Sequence, residues 1–245
     1  SHPATHGAIR ILTALDGETI LANVNEIGYL HRGFEKNSEK MTYNQIIPMT
    51  DRLNYCSSMI NNIAYVKAVE SWLGVDLTER AQFMRVVLTE FYRVLDHLVC
   101  LSAAFVDIGG LTGYWYLYNE KEAAYDFVSR LCGARLTSTF TRVGGMYRDF
   151  YDGWKEDMEF HIKAIEQGID DGLTLIAKNR ILHDRTQNVC VLPGETALSY
   201  GVTGPVLRAS GVPYDLRKDA PYYNYEAFDF EVPVGSTGDV YDRFM

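Results

Sequence analysis

From Thr78 onward, apolar residues recur at Met84, Val87, Leu88, Phe91, Leu95 and Leu98. That three-and-four spacing lines one side of a helix, and Thr78 carries the hydroxyl that helix N-termini prefer. Similar periodicity runs through 41–73, where Pro48 either kinks the helix or delays its start. It returns over 119–136 and 152–182. Ahead of these lies "AIRILTALDGETILANVNEIGYL" (8–30), two apolar runs joined by Asp16-Gly17, which predicts an antiparallel hairpin. After residue 182, Gly and Pro rise and the periodicity breaks. The pattern therefore predicts an α+β fold, predominantly α. A β-rich segment (1–40) places a small antiparallel sheet on a helical bundle (41–182). An irregular, loop-rich segment (183–245) completes the same domain.

Composition narrows the reading. In a chain of 245 residues, 47% hydrophobic content is enough for a substantial core without covalent staples. A formal charge of −9 argues against nucleic acid as a partner. Cys56, Cys100, Cys132 and Cys190 are widely spaced with no CxxC pair. They supply no zinc or iron–sulfur framework and fit a reducing compartment. No apolar run approaches the roughly 18 residues that span a bilayer, so a membrane role is expected to come through partners. The loop-like opening "SHP" and the uncapped end "GDVYDRFM" read as cut ends, and the chain is expected to be a fragment or processed domain.

Four polar groupings stand out. "SHPATHG" sets His2 and His6 four residues apart, but Pro3 prevents a regular helix between them, so no backbone geometry enforces a metal pinch. Such a histidine can cap a loop, or be presented by the Gly7 turn as a proton donor of near-neutral pKa. "MTDRLNYCSSM" embeds Asp51, Arg52 and Tyr55 in an apolar stretch read as helix, where Asp51 and Arg52 can form a structural ion pair. "HRGFEK" sets Arg32 beside Gly33, which lets the guanidinium approach an anionic group or sit in a solvated turn. "FVDIGG" leaves Asp107 at the end of the long helix, able to make a helix-end contact or to orient a histidine.

Taken in order, "HPATHG", "GYLHRGFEK", "DRLNYCSSM", "RAQFMRV…DHL", "DIGGLT", "GARL…RVGGMYRDF" and "GPVLRASGVPYDLRKDAPY…FDFEVPVGSTGDVYDR" carry a resemblance. The chain resembles the D-type subunits of NADH–quinone oxidoreductases, which form the quinone pocket of respiratory complex I. That family is itself similar to the large subunit of [NiFe] hydrogenases. The resemblance implies a hydrogenase-large-subunit-like fold, with a C-terminal portion and a short N-terminal lead missing here, and assigns roles by position. His6 and Tyr55 would hydrogen-bond a quinone head group, and Asp107 would partner His6. Arg32, Arg142 and Thr137 would lie near a terminal [4Fe–4S] cluster held by a neighbouring subunit. His2 is left structural. A phenol and an imidazole at opposite ends of a quinone suit the negative charge that reduction places on its two oxygens.

The resemblance further implies that this chain binds no cofactor itself, with NAD used elsewhere in the complex. Expected partners are the C-type subunit, the subunit holding the cluster, and the membrane subunit that admits quinone. The expected location is peripheral, on the cytoplasmic side of a bacterial inner membrane or the matrix side of a mitochondrial one. Thr137 stands where many members carry a histidine that couples cluster potential to pH. A threonine cannot titrate, which points to weak coupling and a low-potential quinone such as menaquinone. "RVGG" (142–145) replaces the family's "RPGG" without removing Arg142. Hydrogenase activity needs cysteine pairs, yet Asn54 and Ser57 flank Cys56 where the first pair belongs. A non-catalytic structural or assembly module is the other alternative.

Overall fold

The computed structural model describes residues 5–245, so the structural role expected of His2 lies outside the described residues. Strands β1 (Arg10–Asp16) and β2 (Thr19–Glu26) pair antiparallel, with Arg10 opposite Glu26 and Asp16 opposite Thr19. The chain reverses at Gly17, whose φ of 63° glycine adopts without a Cβ penalty. The hairpin is therefore present where the pattern predicts it. Its expected packing on the bundle is not seen, because every residue from Arg10 to Asn25 is exposed. The apolar alternation has nothing to bury against among the described residues.

Helices follow: α1 (Phe34–Ser38), α2 (Tyr43–Thr50), α3 (Ser58–Leu73), α4 (Glu79–Asp107) and α5 (Leu111–Cys132). A minimal hairpin, β3 (Thr141–Arg142) and β4 (Gly145–Met146), precedes α6 (Trp154–Ile176) and α7 (Arg180–Thr186). Thr78 caps α4, its hydroxyl accepting from the Ala81 amide at 3.4 Å. Of the predicted stripe, Met84, Leu88, Phe91, Leu95 and Leu98 are buried, and Val87 is half-buried. Helix α4 packs on α3 and α5, and α5 packs on α6. Phe91 and Phe127 meet edge to face at 5.1 Å in the middle of this core. Helices α5 and α6 approach closely at Gly168, where a Cβ would lie 2.5 Å from Glu120 Cγ and 3.1 Å from the Tyr116 carbonyl.

Three helical predictions change. The 41–73 stretch divides into α2, a 3-10 turn at Tyr55–Ser57, and α3. Pro48 lies inside α2, which ends two residues later. Helix α5 starts before residue 119, at Leu111, and stops at Gly133, which turns left-handed at φ 83°. The 152–182 stretch breaks after Ile176, and Asn179 caps a new helix by accepting from the Ile181 amide at 2.8 Å. Beyond residue 186, the chain forms short helices α8 (Gly194–Ser199), α9 (Gly204–Ala209), α10 (Leu216–Asp219) and α11 (Val240–Phe244). Phe244 stacks on Phe105 at 5.2 Å and ties this segment to the bundle. The fold is predominantly α with a small antiparallel sheet.

Candidate functional site

His6 sits at the tip of a turn closed by the Ala8 amide donating to the Thr5 carbonyl at 2.9 Å. His6 and Gly7 are both left-handed, at φ 48° and 70°, and histidine is among the non-glycine residues that tolerate this region. The turn brings His6 Nε2 to 3.8 Å from Asp107 Oδ2. Asp107 is the last residue of α4, and 101 positions separate the partners in the chain. The His6 side chain is 59% exposed and Asp107 27%, so the pair lies at a surface that solvent or a ligand can reach.

Tyr55 does not lie on a helix with Asp51 and Arg52, as the periodicity suggests. It opens the 3-10 turn between α2 and α3. Asn54 is extended there (φ −127°, ψ 94°), and its amide donates to both Asp96 oxygens, at 3.3 and 3.2 Å. This long-range contact fastens the turn to α4. Tyr55 itself is 52% exposed. Beneath it, burial and then the Asp96 charge push the Cys56 thiol up to about 11. Close by, Lys121 is nearly buried on α5, with its ammonium 3.7 Å from the Tyr118 ring centroid, 4.6 Å from that of Tyr125 and 2.6 Å from Glu122. The Lys121 hydrogen bond holds the Glu122 carboxyl below its usual range.

Asp96 and Asp107 are separated by 11 residues of one helix. Eleven residues make about three turns, so both carboxylates project from nearly the same side of α4, about 16 Å apart. Only small side chains, Cys100 and Ala103, share that side between them. The turn bearing Tyr55 is thus fastened at one end of a shallow floor, and the turn bearing His6 at the other. No direct contact joins Tyr55 to His6 among the described residues. A cavity of about 550 Å³ lies elsewhere, on the opposite side of α4. There Glu90 already pairs with Arg217 at 3.0 Å and accepts from Tyr225, and most of the lining is apolar.

The remaining candidates divide. Asp51 is buried and Arg52 half-exposed, and they form the expected ion pair at 2.6 Å. Asp51 also accepts from the Thr139 hydroxyl at 2.9 Å. Burial raises its carboxyl above the usual range, with Thr139 and Arg52 opposing the shift. Ser138, the residue after Thr137, bonds Ser58 Oγ at 3.0 Å and also the Tyr92 hydroxyl. The segment carrying Thr137 is therefore fixed to α2, α3 and α4. Arg142 donates to the Thr141 carbonyl at 2.8 Å and lies over the Tyr147 ring. Arg32 is exposed just before Gly33, the left-handed cap of α1, and its carbonyl accepts from Asn37 at 3.0 Å. Its guanidinium joins no hydrogen bond or ion pair among the described residues, and nothing brings it to Thr137 or Arg142.

One buried pair carries none of the roles assigned from the sequence, although Arg85 lies within "RAQFMRV". Arg85 on α4 is fully buried and doubly bonded to Glu70 on α3, both contacts at 2.7 Å. Arg85 also donates to the Arg142 and Gly145 carbonyls at 3.0 Å and to the Tyr223 hydroxyl at 2.8 Å. Glu70 in turn accepts from the Gly144 amide at 2.7 Å. The turn carrying Arg142 is thus held from beneath by a desolvated ion pair. The signal that could have found it is phase: Glu70 falls in step with Ile63 and Val66, and Arg85 with Leu88 and Tyr92. Opposite charges at core positions of neighbouring helices predict such a pair.

Among the described residues, no group of three or more His, Cys, Asp or Glu side chains is placed to hold a metal ion. Among them, no helix is long and apolar enough to cross a membrane.

Residues 107–245 match the family described as "Respiratory-chain NADH dehydrogenase, 49 Kd subunit". Relatives align along the chain. The C/D-type NADH-quinone oxidoreductase subunit of Bdellovibrio bacteriovorus is 49% identical over 245 residues, all of this chain and 44% of that protein. The D-type NADH-quinone oxidoreductase subunit of Pelobacter propionicus is 48% identical over 244 residues, 100% of this chain and 60% of that protein. The D-type subunit of Desulforamulus reducens is 47% identical over 243 residues, 99% of this chain and 66% of that protein. The chain therefore spans between 44% and 66% of the length of these three relatives. The long helix that ends on Asp107, and all that follows it, falls within or beside the matched span: this chain belongs to the family of the 49 kDa subunit of respiratory-chain NADH dehydrogenase.

Proposed function

We propose that this chain forms the quinone-reducing site of a complex I-type NADH–quinone oxidoreductase. The observation that supports this most is the shared side of α4, which fastens the Tyr55 turn through Asp96 and His6 through Asp107. A quinone lying over Cys100 and Ala103 would meet a phenol at one carbonyl and an imidazole at the other. Each carbonyl oxygen gains negative charge on reduction. Both groups can donate a hydrogen bond to it, and an imidazole can also serve as a proton donor. Asp107 would hold the His6 ring in place beside the quinone. On this reading Asp107 stands at the start of any relay toward proton translocation.

A terminal [4Fe–4S] cluster in an adjacent subunit would supply electrons one at a time. Arg142, Thr137 and Arg32 are this chain's groups proposed to face it, with Arg32 tuning it electrostatically. Thr137 cannot titrate, so this chain would add little pH dependence to the cluster, in keeping with a low-potential quinone such as menaquinone. NAD would be oxidised elsewhere in the complex. The partners would be the C-type subunit, the subunit holding the cluster, and the membrane subunit that admits quinone, with this chain peripheral on the cytoplasmic or matrix side.

The test compares Tyr55→Phe with wild type in membranes holding the whole complex. Donor oxidation is followed with quinone, then with an artificial acceptor that bypasses the quinone site. The expected result is loss of quinone reduction by tenfold or more, with bypass activity intact, the usual size for removing one preorganised donor being about 100-fold or more. Unchanged quinone reduction would sink the assignment. Loss of both activities would favour a structural or assembly role.

A further inference from the structure

We propose that Asn54 and Asp96 are positioning residues that set the place of the Tyr55 phenol, an inference that rests on reading Tyr55 as a quinone donor. The residue immediately before Tyr55 is gripped from two helices. Its side-chain amide donates to both Asp96 oxygens on α4, at 3.3 and 3.2 Å. Its carbonyl accepts from Asn61 on α3 at 2.9 Å and from the Ser57 amide at 3.2 Å, closing the 3-10 turn. Tyr55 is half-exposed, and its hydroxyl makes no hydrogen bond among the described residues. Its position is therefore inherited from the backbone of Asn54.

A carboxylate acceptor suits this task because it offers two charged oxygens to one amide donor. An amide NH₂ is the matching donor, and it carries no charge of its own into the site. Reaction rates respond steeply to placement, and a displacement of about 1 Å can cost about 100-fold. Asp96 is also the member of the pair that belongs to the same helix as Asp107. The clamp thus refers the phenol to the element that holds the imidazole's partner.

Chemical reciprocity makes the inference testable. In Asn54→Asp two carboxylates face each other and the grip is lost. In Asp96→Asn one neutral hydrogen bond survives. In the double exchange Asn54→Asp/Asp96→Asn, an amide again faces a carboxylate with donor and acceptor reversed. In membranes holding the intact complex, Asn54→Asp is expected to lower quinone-dependent kcat/KM roughly tenfold, the loss of one charge-assisted bond. Bypass activity with the artificial acceptor should be unchanged. Asp96→Asn should lose only a few-fold, and the double exchange should return to within about twofold of wild type.

Wild-type quinone kinetics in Asn54→Asp would overturn the inference. So would a double exchange no better than Asn54→Asp. If Asn54→Asp also loses bypass activity, the milder Asp96→Asn decides: parallel loss of both activities there makes the pair merely structural and overturns the inference as well. Tyr55→Phe, measured alongside, separates the two layers. If Tyr55→Phe reduces quinone normally, the underlying reading fails. If it does not, and Asn54→Asp does, only the clamp fails.

Discussion

Replacing Glu70 by glutamine changes one atom and removes one charge, and it should be among the most damaging conservative substitutions in the chain. Both partners are buried, with side-chain exposures of 0% for Arg85 and 5% for Glu70. Each carboxylate oxygen is committed: Oε2 accepts from Arg85, and Oε1 from Arg85 and the Gly144 amide. A glutamine can keep the two bonds at Oε1, but its NH₂ then confronts the Arg85 nitrogen that Oε2 now accepts from. The guanidinium stays buried without a counter-charge, a situation that costs about 3–5 kcal/mol. Urea unfolding of the chain, followed by circular dichroism, should show a loss of at least about 3 kcal/mol. The double variant Glu70→Leu/Arg85→Met sharpens the test. An isolated buried ion pair is often replaced by apolar residues at no cost. Here the Arg142 and Gly145 carbonyls, the Tyr223 hydroxyl and the Gly144 amide would all lose a partner. Unsatisfied buried groups cost about 1–3 kcal/mol each, so the double variant should remain destabilised by at least about 2 kcal/mol. A Glu70→Gln cost below about 1 kcal/mol, or a double variant as stable as wild type, would refute the reasoning.

Two further outcomes follow from local geometry. Asp215 accepts from Arg217 through side chain and backbone, which lowers its carboxyl to about 2. A carboxyl whose folded pKa is depressed stabilises the fold above its unfolded value near 3.8, and that stability is lost as pH falls toward 2. Asp215→Asn should therefore cost about 2 kcal/mol at pH 6 and progressively less between pH 4 and 2, as read from unfolding midpoints across that range. Gly238 has φ 71°, and a Cβ there would lie 2.3 Å from the Leu192 carbonyl oxygen. Gly238→Ala should cost about 2 kcal/mol or more in the same assay, and a neutral result would mean that the 188–192 and 235–243 loops separate without penalty.

What the sequence disclosed, and what it hid, follows from the range of the interactions involved. Helix α4 was legible because its cap at Thr78 and its apolar stripe are local signals. The hairpin was legible from Asp16-Gly17 for the same reason. The break at "DRLNY" was not, because the Asn54–Asp96 bond that fastens the turn after α2 forms across 42 positions. The hairpin's bare faces were not legible either, since alternation predicts a strand but not what covers it. At the site, the residues named from the family resemblance include a pair the fold does bring together, His6 and Asp107. The pairing of Asn54 with Asp96 escaped notice because an amide and a carboxylate on separate elements give no signal until the elements dock. Glu70 and Arg85 were readable in principle, from charges in core phase.

Helix α4 also acts as a measuring rod. Because one unbroken helix carries Asp96 and Asp107, the separation and the angular alignment of the two halves of the floor are locked together. Deleting a single residue between them would shorten the gap by only about 1.5 Å but would swing Asp107 round by about 100°. His6 and the Tyr55 turn would then face different sides, with every residue of the site still present. Point substitutions in that stretch can be absorbed one at a time, whereas changes of length cannot. The number of residues from 97 to 106 is therefore as much a determinant of the site as any side chain within it.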